Sequence, residues 1–150
     1  IHLFGEDIYT SDGTVNRKKL AEIIFNDQFY LSRVNELVHP AVREEFHKWL
    51  KDYHHFPYVV HEAAILFESG FYQMMDFTLL ISAPEKERIK RVMKRDRVSE
   101  QKIKERMSHQ FSEKEKARMA DGVLLNDNTH LIIPEIIKID KNLKKYGKIW

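Results

Sequence analysis

The 150-residue chain is 43% hydrophobic and 32% charged, with a formal net charge of +2, a composition that suits one ordinary domain with or without a small appendage. It contains no cysteine, which excludes a disulfide framework and cysteine-ligated metal and favours a cytoplasmic setting. No apolar run reaches the roughly 18 residues that a membrane span needs, so we expect no membrane association.

The first third of the chain predicts helices. Apolar residues recur at helical spacing from Leu20 to Val38, and an apolar stripe continues from Val42 to Tyr53. Pro40 fits the first position of the second helix, with His39 as the non-helical residue before it. We therefore expect a helical region over residues 1–57.

Three apolar runs with little polar alternation follow. They extend from Tyr58 to Phe67, from Phe77 to Ala83 and from Gly122 to Asn126. Such runs are typical of strands covered on both faces, as in parallel sheets. Helical stretches separate them, so the pattern predicts an α/β fold whose core comprises residues 58–83 and 119–150.

The insertion at residues 84–118, here called the lid, is basic and helical. It carries 13 Lys/Arg and 7 Asp/Glu, a balance of +6, whereas the remainder of the chain is at −4. Pro84 opens one helix, Ser99 caps a second, and Ser112 with Glu115 forms a capping box for a third. Either the lid meets an anion or its helices are simply solvated.

Several arginines in the lid suit phosphoryl transfer. Arg88, Arg91 and Arg95 follow a spacing that puts them on one helical stripe, and Arg106 comes from the next helix with Gln110 one turn later. A guanidinium can hold two oxygens of a transferring phosphoryl group at once. The alternative is that these arginines pair with nearby carboxylates on a wet surface.

Two further segments lie where open α/β sheets bind ligands, at the carboxyl ends of strands. Glu62 could bond a substrate hydroxyl or a metal-bound water there, whereas Phe67 reads more readily as core. Asn126 begins an Asn/Asp loop that could read an adenine edge or be a plain turn. His61-Glu62 starts like a zinc-protease motif, but Ile65 replaces its second histidine, so we expect no metal site.

An ordered set of residues from about Phe4 to Tyr146 matches the pattern of a known family. The set comprises Phe4-Gly5, Asp12-Gly13 with Arg17 and Leu20, Ile24-Phe25, Leu37-Val38-His39-Pro40, Glu62-Ala63-Ala64-Ile65-Leu66-Phe67-Glu68, Ala83-Pro84, Arg91, Arg95-Asp96, Ser99, Arg106, Gln110, Ala120-Asp121 and Asn126. It resembles the dephospho-CoA kinases, P-loop kinases of the nucleoside-monophosphate-kinase type. Ala64 departs from the family, where proline is usual.

The resemblance implies transfer of the ATP γ-phosphate, with Mg²⁺, to the 3′-hydroxyl of dephospho-CoA, the last step of coenzyme A biosynthesis. It implies catalytic lid cations at Arg91 and Arg95, a closed lid supported by Arg106 and Gln110 on the substrate side, and an adenine contact at Asn126. It also implies that His39, Glu62 and Phe67 help to define the dephospho-CoA side.

The family's P-loop and aspartate general base lie upstream of the matching region. This sequence has no G-x-x-x-x-G-K-[ST] stretch to cradle phosphates, and it starts at Ile1 rather than Met. We therefore expect an incomplete sheet without its first strand, with ATP and Mg²⁺ bound largely by the absent segment. We also expect no turnover by this chain alone and self-association through exposed strand edges.

Three other functions stay open at this point. One is a kinase of the same fold that acts on another nucleotide or small molecule. Another is a non-catalytic basic module that binds RNA or another anion; the basic lid favours it, but the lid lacks interleaved exposed aromatics, so we expect no nucleic-acid partner. The third is a regulatory pseudo-enzyme that begins near Ile1.

Overall fold

The computed structural model describes residues 4–5 and 8–147, with the main chain only for Phe25. Contacts within the chain divide it into two compact units, one up to Lys51 and one from Asp52 onward. Six α-helices and two β-strands lie in the described part of the chain: α1 (Arg17–Asn26), α2 (Gln28–Tyr53), β1 (Leu79–Ser82), α3 (Glu85–Asp96), α4 (Glu100–Ser108), α5 (Glu113–Met119), β2 (Gly122–Leu125) and α6 (Ile132–Tyr146).

The first unit begins with a tight turn and continues as helix. Asp12 Oδ1 accepts hydrogen bonds from the Thr10 hydroxyl and from the Thr14 amide and hydroxyl. These bonds lower the pKa of Asp12 to about 2, and the bond from the Thr10 hydroxyl contributes most. Gly13 has a φ of +81°, which glycine adopts without strain. The Asp12-Gly13 pair therefore forms a tight turn before α1.

Helix α2 continues through the predicted boundary at Pro40, and the break between α1 and α2 falls at Asp27 instead. Pro40 lies inside α2, so His39 is a helical residue and not the one before a helix. A proline in a helix interior removes one hydrogen bond, but the helical spacing of apolar residues on both sides of Pro40 continues undisturbed. The predicted break was wrong because proline's preference for the first turn is a tendency and not a requirement.

The second unit is built on a parallel pair of strands. Leu79 pairs with Gly122 and Ser82 with Leu125, in register along the whole pair. One face of the pair packs against α6, where buried Leu124 and Ile139 form a cluster with Leu79, Ile132 and Leu143. The α/β fold and the two strands predicted from the second and third apolar runs are therefore confirmed.

The first apolar run does not form a strand. Residues 58–63 carry no regular secondary structure and residues 64–70 form turns. An apolar run indicates that a segment is buried. A strand also needs a neighbouring strand for its main-chain hydrogen bonds, and no strand among the described residues pairs with this run. A hydrogen bond of 2.5 Å from the Tyr58 hydroxyl to Asp140 ties the segment to α6 instead.

The three lid helices start where the sequence placed them. Pro84 is the residue before α3, the Ser99 side chain caps α4, and Ser112 with Glu115 forms a complete capping box at α5. Each cap satisfies main-chain N–H groups that have no partner inside the helix. The final helix begins at Ile132, so that Pro134 falls in its first turn, where a missing N–H costs nothing.

A reciprocal hydrogen-bond clasp joins the amino ends of the strands. Both the amide and the hydroxyl of buried Thr78 donate to Asp121 Oδ2 at 2.7 Å. The amides of Asp121 and Gly122 donate back to the Thr78 carbonyl, at 3.1 and 3.2 Å. These bonds lower the pKa of Asp121 below its usual value, and the bond from the Thr78 hydroxyl contributes most.

Among the residues described, no helix is both long and apolar enough to cross a membrane.

Candidate active site

Arg91 of α3 lies at the carboxyl end of the parallel pair. Its Nη2 donates to the main-chain carbonyl of Asn126 and to Oδ1 of Asn128, both at 2.8 Å. The amide of Asn126 in turn donates to the carbonyl of Ser82 at 2.7 Å, so Asn126 joins the ends of β1 and β2. A guanidinium is thereby fixed at the sheet edge where α/β folds bind ligands.

The loop after β2 is held in one conformation from two sides. Asn128 adopts a φ of +71° and donates to Glu87, one turn before Arg91, at 3.3 Å. Asp127 accepts hydrogen bonds from the amides of Thr129 and His130. These bonds lower the pKa of Asp127, and the bond from Thr129 contributes most. The loop is thus the Asn/Asp turn that the sequence allowed, and Asn126 at its start is half-buried.

Arg95 and Arg106 converge on a single carboxylate. Arg95 donates to both oxygens of Asp96, at 2.6 and 3.1 Å, and Arg106 Nη1 lies 3.6 Å from Asp96 Oδ2. The bond from Arg95 is the main cause of the lowered pKa of Asp96. The Arg95 side chain is 74% exposed, so it is accessible to an anion. Asp96 therefore gathers two lid cations at one accessible point.

Arg88 is anchored inward and not toward the other arginines. Its Nε donates to the Ala83 carbonyl at 3.1 Å, and its Nη1 lies 3.3 Å from Glu113 Oε2. These contacts link the residue after β1 to the first residue of α5, the last helix of the lid. The predicted stripe of three arginines thus divides into an anchor at Arg88, a sheet-edge cation at Arg91 and an exposed cation at Arg95.

Residues 58–70 contain two predicted site residues, which differ in their exposure to solvent. Glu62 is exposed, whereas Phe67 is 7% exposed and packs against Tyr72 with ring centroids 5.5 Å apart. His61 stacks on Phe71 at 4.7 Å. Glu62 is therefore accessible to a ligand, and Phe67 shapes the segment from beneath. His39 lies half-buried in α2 of the first unit.

A buried lysine that sequence reasoning did not single out lies at the base of the lid. Lys116 is 9% exposed, and its Nζ donates to the Ala64 carbonyl at 3.0 Å and to Gln110 Oε1 at 3.2 Å and lies 3.0 Å from Glu68 Oε1. Two of these partners are 48 and 52 residues away in the chain. Lys114 and Lys116 look alike in a helix of mostly charged residues, so no local signal distinguishes the buried one.

The arginines of the lid suit a phosphate ligand. Guanidinium groups match phosphate oxygens, and they are carried here by half-buried Arg91 at the sheet edge and by exposed Arg95 and Arg106. Residues 4–5 and 8–147 contain no group of three or more His, Asp or Glu side chains placed to hold a metal ion.

A parallel strand pair, an arginine-rich helical insertion and a cation fixed at the carboxyl edge define an α/β protein suited to binding a phosphorylated ligand. The family model for CoaE, dephospho-CoA kinase, matches residues 1–131. The chain belongs to the dephospho-CoA kinase family.

Individual relatives agree with that family. A dephospho-CoA kinase of Bacteroides fragilis is 34% identical over 137 residues, which cover 91% of this chain and 66% of the relative. The crystal structure of TT1252 from Thermus thermophilus matches with a TM-score of 0.74 and 34% identity, over 85% of this chain and 65% of that one. A dephospho-CoA kinase from Campylobacter jejuni matches with a TM-score of 0.64 and 26% identity, over 97% and 74%. The chain thus spans about two thirds of the length of these relatives.

Proposed function

We propose that the protein, as its gene encodes it, phosphorylates the 3′-hydroxyl of dephospho-CoA with ATP to give coenzyme A. The reaction forms a bond between the 3′-oxygen and the γ-phosphorus, breaks the bond from that phosphorus to ADP, and releases the hydroxyl proton. Arg91, which is hydrogen-bonded to the carboxyl end of β2 in a chain of this family, is the observation that carries the proposal.

We assign the lid residues to the phosphates. Arg91 and Arg95 are the cations that neutralise charge on the transferring phosphoryl group, a role in which arginines raise rates by about 10³–10⁵. Arg106 and Gln110 support the closed lid and bind the substrate. Asp96 holds Arg95 and Arg106 together when no phosphate is bound and gives them up to the more highly charged ligand.

The remaining assignments concern the base and the acceptor substrate. The Asn126 side chain contacts the adenine of ATP, and His39, Glu62 and Phe67 define the dephospho-CoA side, with Phe67 acting by supporting the segment that carries Glu62. Residues 1–57 form the dephospho-CoA-binding region, residues 58–83 and 119–150 the core, and residues 84–118 the lid. Mg²⁺ accompanies ATP, and the reaction takes place in the cytoplasm.

The test is a kinase assay on the protein as its gene encodes it. ADP formation should require dephospho-CoA, and mass spectrometry of the product should show the gain of one phosphate at the 3′ position. AMP, adenosine and pantetheine phosphate serve as control acceptors. Faster turnover of any of these acceptors would assign a different kinase of the same fold, and ADP formation with none of them would reject the proposal.

A further inference from the structure

The ammonium of Lys116 contacts three partners from two segments of the chain. Ala64 and Glu68 belong to the turns after Glu62, and Gln110 lies just after α4. The main chain next to Gln110 is fixed as well, because the Phe111 amide donates to Glu68 Oε1 at 2.7 Å. The ammonium thus joins the base of the lid to the segment that carries Glu62.

The contact with Lys116 determines which end of the Gln110 amide is available. An ammonium can only donate hydrogen bonds, so the carbonyl oxygen of Gln110 must face Lys116. The nitrogen of the same amide, with its two N–H groups, consequently points away from the lysine. Gln110 is therefore preset as a donor on its other side, which suits a phosphate oxygen and excludes a second donor.

We propose that Lys116 is a positioning residue that orients Gln110 so that its amide N–H groups bind a phosphate of ATP or dephospho-CoA. The proposal deepens the proposed function and rests on it. Lys116 does not itself contact the ligand; it acts through Gln110.

A purely stabilising role explains the cluster less well. Burying an ammonium and a carboxylate costs desolvation energy that their attraction often fails to recover. Glu68 Oε2 is moreover buried without a hydrogen-bond partner among the residues that the structure describes, a costly arrangement for a device of stability alone. A pair of this kind is better explained by the geometry that it imposes on its neighbours.

The first test is Gln110→Glu, which keeps an oxygen for Lys116 but removes both N–H donors. We expect the KM for ATP or for dephospho-CoA to rise about tenfold or more, because a hydrogen bond to a charged group is lost and a carboxylate is placed beside the phosphate, with kcat and the melting temperature much less affected. The two KM values show which ligand carries the phosphate. Unchanged KM values for both substrates would overturn the proposal.

The second test separates positioning from stability. Lys116→Met should raise the same KM as Gln110→Glu, and Lys116→Arg, which can still donate to the Gln110 oxygen, should restore much of it. Lys114→Met, on the exposed side of the same helix, is the matched control and should behave like wild type. Equal KM values for Lys116→Met and wild type would contradict the proposal even if the melting temperature falls.

A third readout does not depend on turnover. The side-chain amide signals of Gln110 in a nitrogen–proton NMR spectrum, assigned through their loss in Gln110→Glu, should shift when the phosphate-bearing ligand binds wild type and shift less in Lys116→Met. If ligands bind by calorimetry while these signals stay still, this inference fails and the kinase assignment stands. If neither ATP nor dephospho-CoA binds, both fail together.

Discussion

The guanidinium of Arg91 donates a hydrogen bond of 2.8 Å to the main-chain carbonyl of Asn126, which joins the first lid helix to the end of β2. A residue on a helical insertion is thereby held at the ligand-binding edge of the parallel pair. The same Nη2 also reaches Asn128, so the position of the cation and the conformation of the loop depend on one another.

Arg91→Met should lower kcat strongly, by about 10³-fold, the lower end of what a transition-state arginine contributes. Arg91→Lys should also be impaired, because a single ammonium cannot reproduce the planar fork. The measurement is steady-state ADP formation with dephospho-CoA. The control is Lys90→Met, the exposed neighbour in α3, which should retain wild-type rates. A wild-type kcat in Arg91→Met would remove Arg91 from the catalytic residues.

Asp96→Asn should strengthen ATP binding. Asp96 is the carboxylate that occupies Arg95 and Arg106 without ligand, and its pKa is lowered chiefly by the hydrogen bond from Arg95, so it stays ionised at neutral pH and competes with phosphate. Because the pair is exposed and screened, we expect the KM for ATP to fall by no more than about fivefold. Glu100→Gln, which disrupts an exposed pair with Lys104, is the control, and a raised KM in Asp96→Asn would show that Asp96 preorganises the arginines instead.

The clasp between Thr78 and Asp121 makes the stability of the strand pair depend on pH. Because the pKa of folded Asp121 is depressed below its ordinary value of 3.8, its ionised form stabilises the fold above that pH, and the contribution is lost as pH falls through the folded value. Asp121→Asn should therefore lower the free energy of unfolding near pH 7, by about 1 kcal/mol or less given the exposure of Asp121. Urea melts of both proteins at pH 7 and pH 3 test this; a difference that does not shrink at pH 3 contradicts it.

Local signals in the sequence were enough to predict the lid and the strand pair. Ser99, Ser112 and Glu115 cap helices through bonds that span three residues, so their roles depend only on neighbours in the chain. The strands of the second and third apolar runs could likewise be predicted because they pair with each other.

Features set by distant contacts could not be predicted. Whether the run from Tyr58 forms a strand depends on a pairing partner, and whether Lys116 or Lys114 is buried depends on Glu68 and Ala64, about fifty residues earlier. The different contacts of the arginines have the same origin, because Arg88 bonds the carbonyl of Ala83 whereas Arg91 bonds that of Asn126, 35 residues further along the chain.

Tyr58→Phe should destabilise the segment that starts at Tyr58, which was predicted to be a strand and forms none. The phenol donates to Asp140, and this bond is the leading cause of the raised pKa of Tyr58 and of the lowered pKa of Asp140. Loss of the hydroxyl should cost about 1–2 kcal/mol in the free energy of unfolding, as for a hydrogen bond to a charged group that is partly exposed. Tyr72→Phe, which keeps its ring contact with Phe67, should cost less in the same denaturant titration; equal losses would mean that the bond to Asp140 contributes nothing.

The 150-residue chain expressed alone should self-associate through the open face of the strand pair. Val123 and Leu125 are 45% and 42% exposed, whereas Leu124 between them is buried under α6, so one face of β2 is apolar and uncovered. Apolar faces of this kind promote association because burying them removes apolar surface from water.

Light scattering coupled to size-exclusion chromatography should show a mass that rises with concentration. The double substitution Val123→Thr with Leu125→Thr should reduce this rise in mass while keeping strand propensity. Lys90→Met, remote from this face in sequence and on the lid, is the control. A monomer at every concentration, with no binding of an apolar dye, would show that this face is stable in water by itself.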